Sequence, residues 1–157
     1  MSFNLTRKTD YALVALAALA EEADGDAEAL SARQIAETHR LPASLLMNVL
    51  KQLHRAGILC SRRGAGGGYS LCREPEQISL LEVIEAIEGP VKVALCCEEE
   101  PDNGQAPCSA CSVEESCPIK TPMQRFDEMV RSFLAGVSLV SLIQDPKQIS
   151  ASLEVRS

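Results

Sequence analysis

The stretch whose reading decides the fold is SLLMNVLKQLHRAGILCSRRGAGGGYSLC, residues 44–72. Its first half has two faces. Leu45, Leu46, Val49, Leu50 and Leu53 recur at helical spacing and predict a stripe turned to a core. Ser44, Met47, Asn48, Lys51, Gln52 and Arg55 fall on the opposite side. The pattern predicts a helix from Ser44 to Ala56, with Gly57 as the residue that ends it. The second half changes period. Ile58 to Arg62 and Tyr69 to Cys72 read as short strands, joined by Arg63-Gly64-Ala65-Gly66-Gly67-Gly68. Two short strands around a glycine-rich loop predict a β-hairpin.

Working upstream, Ser31 and Gln34 fit a capping box ahead of Ile35 and Ala36, and residues 39–43 make a short turn containing Pro42. A helix, a short turn and a second amphipathic helix fit a helix-turn-helix, a pattern that an ordinary packed helix pair shares. The hairpin that follows directly reads as a wing. Its glycines let backbone approach a phosphate, and Arg62 and Arg63 at its edge are placed for phosphate or the minor groove. A nucleotide-cradling loop is excluded, because GxxxxGK[ST] is absent and no helix follows directly.

Further out, a first helix spans about Thr6 to Glu22 and stops at Asp24-Gly25-Asp26. Its apolar run, Tyr11 to Ala20, is far short of a membrane span. Ser79 and Glu82 fit a second capping box, opening a helix from Leu80 to Glu88 that Gly89-Pro90 ends. Residues 91–118 lose periodicity. After Pro118 it returns as Met123, Phe126, Val130, Phe133, Leu134 and Val137, and Ser138 caps a last helix with Leu139, Leu142 and Ile143. The expected fold is mainly α with a small β-wing. The expected division is a winged helix-turn-helix domain over 1–90, a cysteine-rich loop over 91–118, a long helix over 119–145 and a flexible tail over 146–157.

The charge needs resolving along the chain. In 157 residues, 15 Lys and Arg stand against 22 Asp and Glu, a net charge of −7 that by itself argues against nucleic acid. Aromatics are 3%, which counts against a single-strand stacking platform. Yet Leu30 to Arg73 holds Arg33, Arg40, Lys51, Arg55, Arg62, Arg63 and Arg73 against Glu37 alone, a net +6. Residues 91–157 carry a net −4. A basic segment on an acidic chain is a candidate footprint for a polyanion, and also describes a solvated surface.

Five of the seven cysteines lie together: Cys96, Cys97, Cys108, Cys111 and Cys117. With no signal peptide visible, the expected compartment is the reducing cytoplasm, where cysteines bind metal, react or sit buried rather than pair. Cys108-x2-Cys111 is half of a zinc site, but no second CxxC or HxxxH pair accompanies it, and His39 and His54 lie in the helix-turn-helix. An iron–sulfur cluster and a reversible thiol switch are the other options. Cys60 and Cys72, on the wing strands, are expected to be small buried hydrophobes. No nucleophile–base pair is readable, which leaves a redox enzyme or cluster carrier without support and predicts a non-enzyme.

Leu5-Thr6-x3-Asp10-Tyr11-Ala12, the helix-turn-helix, Arg63-Gly64-Ala65-Gly66-Gly67-Gly68-Tyr69-x-Leu71, Ile84-x2-Ile87-Glu88-Gly89 and Cys111-x5-Cys117 occur in that order. In this the chain resembles the IscR/NsrR family of bacterial winged-helix transcription regulators that sense through an iron–sulfur cluster, over residues 3–143. Its look is nearest to the regulators of SUF cluster-assembly operons and to the nitric-oxide sensor branch. The resemblance implies a homodimer joined through the long C-terminal helix, acting as a repressor on a pseudo-palindromic operator in double-stranded DNA. It implies a [4Fe–4S] cluster, ahead of [2Fe–2S], held by Cys97, Cys111 and Cys117, with Cys96 or Cys108 as alternatives. Some relatives place a His three residues after the last cysteine; here that position is Lys120. The nitric-oxide branch uses an Asp of the second subunit's first helix, and Asp10 stands there. An ordinary helix-start carboxylate would fill the same position. The DNA-facing residues implied are Ser44, Met47, Asn48, Lys51 and Gln52 on the recognition helix, and Arg62, Arg63, Gly66 and Gly67 on the wing.

Overall fold

A computed structural model describes residues 5–23, 29–64, 67–93 and 116–143. Among these residues six helices and one hairpin follow in the order α1 (Arg7–Ala23), α2 (Ala32–His39), α3 (Ala43–Arg55), β1 (Leu59–Arg62), β2 (Gly68–Leu71), a 3₁₀ turn (Pro75–Gln77), α4 (Leu80–Glu88), α5 (Lys120–Gly136) and α6 (Leu139–Ile143). The architecture is mainly helical with a small antiparallel wing.

Local chemistry sets the helix ends. The Ser31 hydroxyl accepts from the Gln34 N–H while the Gln34 side chain accepts from the Ser31 N–H, so α2 opens on a capping box. Ser79 and Glu82 do the same for α4. Each box satisfies amide donors that the first turn of a helix leaves without partners. Arg40 ends α2 in the left-handed conformation, φ 53°, with its N–H on the Ala36 carbonyl. The turn to Pro42 is therefore tight, and α3 begins within three residues of it.

The core is built around α1 and α3. Ala12, Ala15, Leu16 and Leu19 of α1 meet Leu46, Val49, Leu50 and Leu53 of α3, all buried. Ile35, Ile58, Leu59, Ile78, Val83, Ile87 and Leu139 complete it. Alanines on α1 let the α3 backbone come close, and the leucines fill what remains. Leu45, expected in this stripe, is instead 41% exposed. It lies at the edge of the stripe, where the helix surface has already turned to solvent.

β1 and β2 pair with Leu59 opposite Leu71 and Arg62 opposite Gly68. A third backbone joins them: Leu30 and Tyr69 exchange both N–H···O=C bonds, at 3.0 and 2.8 Å. Gly68 is what permits this approach, since a Cβ there would sit 2.3 Å from the Leu30 carbonyl oxygen. The wing cysteines differ from expectation. Cys60 and Cys72 are exposed and joined by a disulfide across the hairpin. Strand alternation explains the exposure: Leu59 takes the core side, so Cys60 takes the other.

The C-terminal segment returns to this core. Leu80 donates to the Val137 carbonyl and Leu139 to the Ile78 carbonyl, both at 2.8 Å, and α6 packs beside the 3₁₀ turn. The expected single stripe on α5 separates into two. Leu134 and Val137 are buried, whereas Phe126, Met129 and Phe133 are exposed. The 146–157 tail lies outside the described residues.

Leu50 is fully buried between α1 and α3. Leu50→Ala is expected to lower the unfolding free energy by about 2–5 kcal/mol in a urea titration. A change below about 0.5 kcal/mol contradicts this core.

Candidate nucleic-acid interface and cysteine segment

Packing one face of α3 against α1 presents the other to solvent. Ser44, Met47, Asn48 and Lys51 are exposed, with Leu45 and Arg55 beside them, and Gln52 is half-buried. Lys8, Leu45, Asn48, Val49, Lys51, Gln52 and Arg55 line a groove of about 390 Å³. Two amides and three cations in one groove combine base-edge hydrogen bonding with phosphate attraction. Lys8 was not legible as part of it. Its place follows from how α1 crosses α3, which no local pattern in residues 5–12 records.

The wing stands next to this helix in the chain. Arg62 and Arg63 are exposed on β1 and just beyond it. Gly64 turns the chain with φ 111°, and the Gly67 N–H donates to the Gly64 carbonyl at 2.9 Å. A Cβ on Gly67 would fall 2.6 Å from the Arg62 carbonyl oxygen, so glycine is required for the turn itself. Gly66 lies outside the described residues. Not all of the basic segment faces this way. Arg33 pairs with Glu37 at 2.7 Å and Arg73 with Glu82 at 3.0 Å. Lys51, Arg55 and Arg63 remain exposed on the helix and wing.

The cysteine segment is held at both margins. The buried Asp127 of α5 accepts from the Val93 N–H at 2.7 Å. Arg131 donates to the Glu85 carboxylate at 2.8 Å and to the Val91 carbonyl at 3.0 Å. At the far margin, Cys117 is half-buried and its carbonyl accepts from the Lys120 N–H. Residues 93 and 117 are thereby both fixed to α5. Asp127, Arg131 and Glu85 carried no legible signal, because each reads as surface charge until α4 and α5 are brought together. Cys96, Cys97, Cys108 and Cys111 lie outside the described residues. Among the described residues no three His, Cys, Asp or Glu side chains form a metal site. The donor chemistry nonetheless fits an iron–sulfur cluster. Cys117, the cysteine of this segment among the described residues, is free and half-buried, a soft thiol donor of the kind such a cluster takes.

Asp10 is exposed in the first turn of α1. Next to it, the Glu88 carboxylate at the end of α4 accepts from the Thr6 and Thr9 hydroxyls at the start of α1. Partial burial pushes the Glu88 carboxyl up. The hydrogen bonds from Thr6 and Thr9 and the charge of Lys8 outweigh that and hold it below the ordinary glutamate value. The start of α1 is thus pinned to the element that leads into the cysteine segment.

An amphipathic reading helix braced from behind, followed by a glycine-rich wing, defines a winged helix-turn-helix DNA-binding protein. Comparison with known proteins makes this specific. Residues 5–145 match the family model Rrf2, described as an iron-dependent transcriptional regulator, and the chain belongs to that family of transcriptional regulators rather than to the enzymes. It is 30% identical over 155 residues to the HTH-type transcriptional regulator NsrR of Bacillus subtilis, covering 97% of this chain and 98% of that one. It is 30% identical over 141 residues to the HTH-type transcriptional regulator IscR of Aliivibrio salmonicida, covering 90% and 77%. Among solved structures it is similar to CymR (YrzC), the global cysteine regulator of B. subtilis, with a TM-score of 0.65, 25% identity and coverage of 90% and 97%. The resemblance to IscR and NsrR read from the sequence is therefore correct. No helix among the described residues is long and apolar enough to cross a membrane.

A carboxyl depressed in the folded state contributes its stability in full above the unfolded pKa and loses it as pH falls through the folded value. Glu88→Gln is expected to lower the urea midpoint at neutral pH and to leave a smaller further drop below about pH 4.3 than wild type shows. Equal acid limbs for the two proteins contradict the Thr6–Thr9–Glu88 contact.

Proposed function

We propose that this chain is a homodimeric repressor that reads a pseudo-palindromic operator and answers to an iron–sulfur cluster in its cysteine segment. The observation that carries the reading is the solvent face of α3, where Asn48, Gln52, Lys51 and Arg55 share one groove with Lys8. Ser44, Met47, Asn48, Lys51 and Gln52 enter the major groove; Arg62, Arg63, Gly66 and Gly67 meet the adjacent backbone or minor groove. The amides select bases and the cations fix the register on phosphate. Residues 1–90 are the reading domain, 91–118 the sensing loop, 119–145 the dimerisation helix and 146–157 a tail.

Phe126, Met129 and Phe133, exposed on one side of α5, supply the apolar strip by which two copies join. A two-fold dimer of reading helices matches a two-fold operator. Cys97, Cys111 and Cys117 hold the cluster, with Cys96 or Cys108 as alternatives, and Asp10 of the second subunit completes the set. When bound, a [4Fe–4S] cluster supplies a redox-active centre whose loss or oxidation is the signal. The chain's own part is mechanical. A ligand on Asp10 bears on the first turn of α1, α1 carries α3, and the spacing of the two reading helices follows. The family description as iron-dependent supports this reading. Control of iron–sulfur assembly or a related stress response is the role it fits.

Arg63→Ala is expected to weaken operator binding more than tenfold at fixed salt, and Asn48→Ala to flatten discrimination among single-base-pair operator variants. Fluorescence anisotropy measures both; unchanged binding by Arg63→Ala sinks the wing assignment. Anaerobic purification is expected to give a brown protein with visible absorption that Cys117→Ala and Asp10→Ala diminish. A colourless, zinc-loaded protein favours the zinc or thiol alternative.

A further inference from the structure

The wing carries a feature that the cysteine segment does not account for. Cys60 and Cys72 are bridged, with Cα atoms 5.2 Å apart and a sequence separation of 12. The bridge sits at the open end of the hairpin, away from the glycine turn. Cys60 lies opposite Ser70, and the Cys72 N–H donates to the Ile58 carbonyl one rung beyond the paired strands. Both residues are exposed, on the face that alternation also gives to Arg62. We propose that this pair is a second sensing site, a thiol–disulfide switch that opens and closes with the surrounding low-molecular-weight thiol pool and sets how firmly the wing holds DNA.

Three observations on the wing argue for this. First, the bridge is reachable. An exposed disulfide can be attacked by a small thiolate, whereas one buried in a core is protected. Secondly, the ring it closes contains Arg62, Arg63 and the whole glycine loop, so its covalent state constrains the residues that touch DNA. Thirdly, the hairpin is short. Each strand has four residues; Leu59 in the core and the Leu30 bridge hold its base, and Arg62 and Arg63 lie at its far end. A two-stranded ladder of that length is marginal in water, and glycines enlarge the freedom it must lose on docking. Closing the ring removes part of that freedom before DNA arrives, which lowers the cost of binding.

The chemistry balances. In oxidation, one wing thiolate attacks a sulfur of a small disulfide and releases one small thiol. The second wing thiolate attacks the mixed disulfide and releases the other. Two electrons and two protons pass from the cysteine pair to the small disulfide, which leaves as two small thiols, and reduction runs the same steps in reverse. The bridged form binds operator more tightly and the opened form less tightly.

This inference rests on the wing reaching DNA, and the experiment separates the two claims. Full-length protein is equilibrated in oxidised and reduced glutathione at several ratios, beside a Cys60→Ser/Cys72→Ser variant that keeps the cysteine segment intact. Differential alkylation with peptide mass mapping reports the linked Cys60–Cys72 fraction, and anisotropy reports operator affinity. The expected result is a bridge that opens at reducing ratios, with wild-type affinity falling about tenfold in step, a shift within the usual span of coupling between sites. The variant is expected to stay at the weaker value at every ratio, apart from any response of the cysteine segment common to both proteins. A pair that does not exchange, or a wild type and variant with the same affinity at every ratio, overturns the switch. Arg63→Ala in parallel identifies the source of a failure. Weakened binding by Arg63→Ala with no bridge effect overturns the switch and leaves the wing reading standing; unaffected binding overturns both.

Discussion

The contact between α1 and α3 is the constraint on which the rest of the structure depends. Ala12, Ala15, Leu16 and Leu19 fill the face of α3 that carries Leu46, Val49, Leu50 and Leu53. Burying that face fixes which residues look outward, because helical spacing leaves no freedom to choose. Asn48, Lys51 and Arg55 are presented to solvent as a consequence of where the leucines go. The same contact brings Lys8 of α1 to the edge of the groove. α1 is thus both the support of the reading helix and a contributor to its charge.

α1 is also tied to the helix that leads into the cysteine segment. Glu88 ties the end of α4 to Thr6 and Thr9 at the start of α1. From α4 the chain runs past Val91 and Val93, which Arg131 and Asp127 fasten to α5. The ends of the cysteine segment, α5 and the support of α3 are therefore linked through a short series of hydrogen bonds and packed helices. A change in how the segment is held has a physical route to the placement of α3.

Much of the fold was legible because local chemistry and global packing agree. The two capping boxes, the glycine after α3 and the stripe on α3 all place their elements to within a residue or two. What was not legible depends on contacts between distant segments. Leu45 has the residue type of a core position, but the stripe ends before it. Cys60 and Cys72 are types that often pack inside, and only the pairing register shows them on the outer face. Gly68 reads as one more flexible wing residue until Leu30 is seen against it. Lys8, Asp127 and Arg131 are ordinary surface charges in the sequence, and the α1–α3 and α4–α5 packings give them roles. The net charge of −7 is likewise a poor guide, since Lys51, Arg55 and Arg63 are exposed within one short segment of an acidic chain.

The central claim is that the occupancy of the cysteine segment governs the reading face of α3. The most direct measurement is the operator affinity of one anaerobic preparation of the full chain, taken before and after its iron is removed by chelation, at constant salt. The account predicts a change of about tenfold or more, reversed when the cluster is rebuilt. Equal affinities with and without iron would contradict it.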